Sequence, residues 1–231
     1  MKKVAVITGC NRGGGEGIRN QLLKAGYFVY GINRSPTLNA EQIESYCEFI
    51  CDVSDKNKIT EVCNKITDNI DLLVLNAGIR KFGKISELSF EDFSYSIDVN
   101  LKGPFYVVSL LLKNVKKAKG TVIFIGSHAG RYPFGLGAAY CSSKRGVEAL
   151  SECLMEEVRR EGVKVIHLSL GAIKNRDHGY EEEWKIKPEE LGNAILKLLE
   201  IPKNLLPSDI NLRPQSPKEL NIEGIELMQY K

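Results

Sequence analysis

The chain is most quickly bounded by what it lacks. No stretch of its 231 residues approaches the ~18 consecutive apolar residues of a membrane-spanning helix. After Met1-Lys2-Lys3 only Val4 to Ile7 run apolar, too short for the core of a signal peptide. Both absences lead us to expect a cytoplasmic protein without a membrane partner. There is no excess of either charge: 32 Lys and Arg against 29 Asp and Glu leave +3, which gives no basis for a nucleic-acid-binding surface. The six cysteines (Cys10, Cys47, Cys51, Cys63, Cys141, Cys153) contain no CxxC pair, so they are expected to remain reduced and to serve as small buried hydrophobes. His128, His167 and His178 stand at no ligand-pair spacing, and no metal is expected. Internal repeats and low-complexity linkers are also missing.

What is there is an alternation of short apolar runs and amphipathic segments. Lys3 to Ile7, Phe28 to Ile32, Cys47 to Cys51, Asp71 to Leu75, Thr121 to Ile125, Val163 to Leu168 and Ile210 to Arg213 read as strands. Ile18 to Ala25, Ile59 to Ile70, Leu101 to Val115 and Tyr140 to Arg160 read as helices, with Phe105, Val108, Leu112 and Val115 expected on the buried side of the third. Pro188 is placed to open one more helix toward Glu200. Strands alternating with helices imply an α/β fold, doubly wound, with about seven parallel strands and helices on both faces. We expect one domain over residues 1–231. Four of the eight prolines (Pro202, Pro207, Pro214, Pro217) crowd the end, where 214–231 is expected to form an irregular tail.

Between the first strand and the first helix lies Thr8 to Ile18, TGCNRGGGEGI, in which Gly9, Gly13 and Gly15 keep a G-x3-G-x-G spacing. Glycine there permits a tight turn and close approach of backbone to a pyrophosphate, which a helix N-terminus then attracts with free N–H groups. Asn11 and Arg12 lie in the same turn. Gly14 and Gly17 are more glycine than that turn requires. In such folds an acidic residue ~20 positions further on holds the ribose 2′-hydroxyl of NAD. Here that place reads Ile32-Asn33-Arg34, with no carboxylate. Arg34 and Arg12 can instead pair with a 2′-phosphate, so NADP(H) is expected over NAD(H).

The second motif is Tyr140-Cys141-Ser142-Ser143-Lys144. Tyr and Lys four apart on a helix face the same way, and a nearby ammonium favours the phenolate, making the tyrosine a usable acid or base near neutral pH. Ser127 follows the TVIFI strand, Asn76-Ala77-Gly78 closes the DLLVL strand, and Asn100 precedes the long helix. All fall near carboxyl ends of strands, where open α/β sheets bind ligands.

With these four motifs in order, TGCNRGGG, NAG, Asn100 and S…YxxxK, the sequence resembles the short-chain dehydrogenase/reductase family, of its classical type, over roughly Lys3 to Asn175. The resemblance implies a Rossmann fold and a homodimer or homotetramer formed through the helices near Leu101 and Tyr140. It implies that Tyr140 is the general acid/base and that Lys144 supports it and binds the nicotinamide ribose. Ser127 would hydrogen-bond the substrate oxygen, and Asn100 would hold a water in the proton relay. Asp52 and Val53 match the family's adenine contact, and Gly171, Ile173 and Asn175 fall where the nicotinamide is held. Three positions depart from the pattern: Leu170 replaces the usual Pro before Gly171, Asn175 the usual Thr, and Leu75 an Asn before the NAG motif. The implied activity is NADP(H)-dependent hydride transfer to or from a small carbonyl or secondary alcohol. A non-catalytic NADP(H)-binding regulatory scaffold is the alternative. Residues 172–187 are expected to form a short, charged substrate lid.

Overall fold

The computed structural model describes residues 2–174 and 183–216. Seven strands form one sheet: β1 (Val4–Thr8), β2 (Phe28–Asn33), β3 (Tyr46–Ile50), β4 (Leu72–Leu75), β5 (Thr121–Ile125), β6 (Lys164–Leu170) and β7 (Asp209–Leu212). Their order is β3-β2-β1-β4-β5-β6-β7 and every pairing is parallel. The expected doubly wound Rossmann sheet is therefore present. Burial on both faces explains why β1, β4 and β5 read as unbroken apolar runs. Successive side chains go to opposite faces: Val6, Val122 and Phe124 enter one core, while Ala5, Ile7, Ile123 and Ile125 enter the other. The edge strands β3 and β7 are only partly buried and carry Glu48 and Asp209.

The first core is covered by α2 (Lys56–Asn64), α4 (Gly103–Ala118) and α6 (Ala138–Val158), the second by α1 (Gly13–Lys24) and α7 (Pro188–Leu199). α7 starts at Pro188, as the fixed φ of proline at a first helical turn favours. Two short helices, α3 (Phe90–Ile97) and α5 (His128–Arg131), were not expected from the pattern. α3 is eight residues long and buries only Ser96; Phe90 and Phe93, at helical spacing with Ile97, are exposed, so its apolar residues do not mark a buried face. It leads through a π-helical turn, Asp98–Lys102, into α4. The stripe of α4 centres on Val107, Val108, Leu111 and Val115, which leaves Phe105, expected in the core, 51% exposed at its flank. α2 ends at Asn64, short of Ile70, although Ile66 and Ile70 remain buried in the connection that follows. All six cysteines are free thiols; Cys153 is exposed rather than buried, and Cys47 is half-buried.

α1 begins at Gly13, five residues before the expected start, so the glycine-rich segment is itself the first turns of the helix. This accounts for the surplus glycines. A Cβ on Gly17 would lie 1.9 Å from the Pro188 carbonyl oxygen, and one on Gly192 would lie 2.6 Å from the Gly17 carbonyl oxygen. The two glycines let α1 and α7 cross backbone against backbone. A Cβ on Gly14 would meet Leu191 at 3.1 Å in the same contact. Gly17→Ala should therefore force the helices apart and destabilise the protein by about 2 kcal/mol. Gly135→Ala, where a Cβ meets nothing within 4 Å, should stay within about 0.5 kcal/mol. Equal urea midpoints for the two variants would contradict this account of the crossing.

Candidate active site

The strand order reverses between β1 and β4, and a cleft of about 920 Å³ opens at the carboxyl ends of the strands there. Its first wall is the glycine turn. Gly9 has φ +67°, and a Cβ on it would lie 2.9 Å from the Ala77 Cα, so turn and NAG segment touch directly. Gly13 has φ +57° and opens α1 just behind the wall. Arg12, at the N-cap, gives α1 no side-chain cap. By contrast the Asp55 carboxylate caps α2 and the Ser89 hydroxyl caps α3. The first N–H groups of α1, at Gly14 and Gly15 on the cleft wall, are thus left with the helix's partial positive charge for an anion. Gly9, Asn11, Arg12 and Gly15 line the cleft as expected.

At the end of β2, Arg34 lines the cleft and donates from Nη1 to the Tyr95 hydroxyl at 3.0 Å. Tyr95, on α3, donates in turn to Asp52 Oδ2 at 2.9 Å. Burial alone would raise the Asp52 carboxyl, but hydrogen bonds from Ser54 and Tyr95 and the Arg34 charge more than offset it and hold the group below its ordinary range. Val53 lies beside it on the wall. Asn33 does not reach the cleft. It is fully buried, accepting from the Cys10 N–H at 2.7 Å and donating to Glu48 Oε1 at 2.6 Å, so its amide braces the turn from behind.

The NAG segment is tied to the same turn. Asn76 Nδ2 donates to the carbonyls of Thr8 at 3.1 Å and Gly9 at 2.7 Å. The Thr8 hydroxyl accepts the N–H groups of Asn76 and Ala77, each at 3.0 Å. Gly78 is close to the reacting groups: a Cβ there would lie 3.2 Å from Asn100 Oδ1 and 3.6 Å from Lys144 Nζ.

Tyr140 and Lys144 share the first turns of α6 and both line the cleft. The Lys144 side chain is buried and donates from Nζ to the Ile125 carbonyl at 2.8 Å. Burial, with the Arg80 charge as a smaller contribution, lowers its pKa from 10.5 to about 8. An ammonium has three donors, and among the described residues Ile125 is the only acceptor for them. The Tyr140 ring stands edge-on to Phe82 with centroids 5.8 Å apart, and Phe82 edge-on to Phe134 at 5.6 Å. Ser127 caps α5; its Oγ accepts from the Ala129 N–H at 3.2 Å, which leaves the hydroxyl proton for a ligand. α5 is held in place by Arg131, which reaches Glu148 on α6 at 2.6 Å and Asp209 on β7 at 2.7 Å. Glu148, His167 and Asp209 are close enough to suggest a metal triad, but Arg131 and Arg145 already balance these carboxylates.

Asn100 sits behind the cleft wall, fully buried in the π-helical turn. It accepts from the Ile79 N–H at 2.8 Å and donates to the Ile79 carbonyl and the Ser143 hydroxyl, both at 2.9 Å. Leu170 extends β6 to pair with Leu212, and the Gly171 N–H donates to the Leu212 carbonyl at 2.8 Å. Gly171 and Ile173 line the cleft. Asn175, His178 and residues 175–182 of the expected lid lie outside the described residues, as do 217–231 of the expected tail. The two ends of the lid are joined: Lys174 N–H donates to the Ile186 carbonyl at 2.9 Å, and Ile186 N–H to the Ala172 carbonyl at 3.0 Å.

The pattern did not single out Tyr95, Arg80, Phe82 or His128, all on the wall. Their positions follow from long-range packing, and only Thr8, inside the glycine motif, carried a local signal. His128 stacks on Tyr132 with centroids 4.4 Å apart; burial and the Arg213 charge hold its imidazole below the usual histidine range.

An uncapped helix N-terminus, two arginines and a buried ammonium with donors to spare fit a phosphorylated dinucleotide. Comparison with known proteins identifies the family. The family model for short chain dehydrogenase matches residues 3–185. An uncharacterised oxidoreductase of Staphylococcus epidermidis is 29% identical over 226 residues, 92% of this chain and 97% of that one. The alcohol dehydrogenase of the archaeon Thermococcus sibiricus, solved in complex with 5-hydroxy-NADP, is 29% identical with a TM-score of 0.84, covering 95% of this chain and 100% of that one. A metagenomic short-chain oxidoreductase in complex with NADP is 28% identical with a TM-score of 0.81, covering 93% and 98%. With these motifs, this sheet and a family match over most of its length, the chain belongs to the short-chain dehydrogenase/reductase family of oxidoreductases.

Proposed function

We propose that the protein is an NADP(H)-dependent oxidoreductase of carbonyl and secondary alcohol substrates, with Tyr140 as general acid/base and the reductive direction as the working one. The observation that carries this reading is the buried Lys144 ammonium one helical turn from Tyr140, in the same cleft as the glycine turn. Burying a cation without a counter-ion is costly, and its place one turn from a phenol is what proton transfer through that phenol calls for. NADP(H), when bound, supplies the hydride. Tyr140 gives its proton to the substrate oxygen, and the Lys144 ammonium stabilises the negative charge this leaves on the phenol oxygen. The Ser127 hydroxyl orients the same substrate oxygen. Asn100 positions these groups from behind by holding Ile79 and Ser143.

The preference for NADP(H) rests on charge. Arg12 and Arg34 line the cleft; of the carboxylates near the end of β2, Glu48 is taken up by Thr37, Asn33 and Tyr46, and Asp52 by Ser54 and Tyr95. Two of the solved neighbours carry NADP-type cofactors. Self-association through α4 and α6 belongs to the same proposal, supported by the exposed Phe105 on α4.

Three measurements test this reading. Tyr140→Phe should lower kcat with NADPH by on the order of 10³-fold while leaving the NADPH Kd nearly unchanged; full turnover in this variant would refute the mechanism. Arg34→Ala should reduce the ratio of kcat/KM for NADPH over NADH by about tenfold or more, since a charge-assisted hydrogen bond is worth that much. An unchanged ratio would remove Arg34 from cofactor choice.

Lys144 gives a pH dependence. Its folded pKa of about 8 lies below the ordinary 10.5, so it is charged below 8 and loses its proton above. Turnover should therefore decline as pH rises through about 8. Between 8 and 10.5 the unfolded chain binds more protons at Lys144 than the folded one, so the contribution of this group to urea stability should rise across that interval, against the loss from Cys10, Cys51 and Cys63, whose buried thiols are raised to about 11 to 12 and ionise first in the unfolded chain. The stability difference between wild type and Lys144→Met should therefore shift in favour of the wild type from pH 8 to 10, and a difference that does not change with pH would contradict the assignment.

A further inference from the structure

We propose that the substrate is a carbonyl compound bearing a carboxylate, received by the Arg80 guanidinium. This rests on the oxidoreductase reading above and narrows it to an anionic substrate class.

Among the described residues the cleft wall carries five Lys and Arg side chains, Arg12, Arg34, Arg80, Lys81 and Lys144, and one acidic one, Asp52. They divide into two groups. Arg12, Arg34 and Asp52 belong to the glycine turn and the ends of β2 and β3, where the cofactor phosphates and adenosine are expected. Arg80, Lys81 and Lys144 belong to the end that holds Tyr140, and no carboxylate lines that end among the described residues. Lys81 is paired with Asp92 at 2.8 Å. Lys144 has only the Ile125 carbonyl. Arg80 has no acidic partner among the described residues, although arginine at a protein surface pairs readily with carboxylates.

The side chain of Arg80 is exposed to the cleft, and its backbone is placed firmly. The residue before it, Ile79, has its N–H and its carbonyl both held by the Asn100 amide. Two residues on, Phe82 packs edge-on to the Tyr140 ring. Two residues back, Gly78 borders Lys144 Nζ. The backbone that carries Arg80 is thus fixed between the acid/base tyrosine and the buried lysine. Its charge is felt there, since it contributes to the lowering of the Lys144 pKa. Two like charges facing one partly enclosed space repel, and an anion entering that space relieves them both. A carboxylate matches the planar guanidinium in two parallel hydrogen bonds, and so orients the carbonyl carbon as well as attracting the molecule. The aromatic side chains of Phe82, Phe134 and Tyr132 on the same wall suit the carbon skeleton.

The test uses the full-length protein with saturating NADPH, a series of short-chain oxo acids and their methyl esters. The wild type should prefer at least one acid over its ester by about tenfold or more in kcat/KM. That preference should weaken with added salt while ester turnover does not. Arg80→Leu should collapse the acid-to-ester ratio toward one, and Arg80→Lys should keep part of it; NADPH binding measured on each variant shows that the cofactor site is intact. Equal turnover of acids and esters by the wild type, or a ratio unmoved by Arg80→Leu, would overturn this proposal and leave the oxidoreductase reading standing. Turnover of no member of the series would overturn both.

Discussion

The cleft depends on the side-chain amide of Asn100. It is fully buried, and it spends its donors and acceptor on Ile79 after the NAG segment and on Ser143 inside α6. A regular α-helical turn offers no reason for an asparagine to be so placed. Asn100 lies within the π-helical turn over Asp98–Lys102, a kind of irregularity frequent at functional sites. Through that one group, the segment carrying Arg80 and Phe82 and the helix carrying Tyr140 and Lys144 keep a fixed separation. Preorganisation of this kind is what allows a small set of side chains to act on a bound molecule without first rearranging.

A second constraint is electrostatic. The fold concentrates positive potential at the carboxyl ends of its strands from two sources, the N-terminal N–H groups of α1 and the cationic side chains of the wall. Asp52 is the one acid on that wall among the described residues, and its charge is spread over Ser54, Tyr95 and Arg34. The near-neutral total of +3 therefore conceals a strongly uneven distribution, with negative groups such as Glu148 and Asp209 used on the far side of α5 to hold Arg131. The net charge is uninformative about this, because charge at a site is set by which residues the topology gathers there.

The sheet was almost wholly readable from the chain. Residues buried on both faces of a parallel sheet leave no alternation to misjudge, which made β1, β4 and β5 plain, and the partly buried edge strands β3 and β7 were also located to within two residues at each end. The motif residues Tyr140, Lys144, Ser127 and the NAG segment were legible because their geometry is local to one turn or one strand end. What escaped was non-local. α3 leaves Phe90 and Phe93 exposed, so no buried stripe marks it, yet it supplies Tyr95 to Asp52 and Arg34. Asn33, adjacent to Arg34, was expected at the cofactor and instead braces the turn behind it, because alternate residues at a strand end point to opposite sides. Gly14 and Gly17 had no reading from the turn alone, because their reason is a helix 170 residues later in the chain.

The pair of hydrogen bonds between Ala172, Lys174 and Ile186 has a consequence for how such a chain can diversify. Both ends of the intervening segment are clipped to one another at the cleft rim, and the downstream end runs directly into a helix locked against α1 by Gly17 and Gly192. Insertions, deletions or exchanges between positions 174 and 183 thus begin and end on the same two anchored points. The sheet, α1 and the pair Tyr140 and Lys144 lie outside that interval. A change of length between those two anchors therefore leaves the sheet, the glycine turn and the first turns of α6 where they stand.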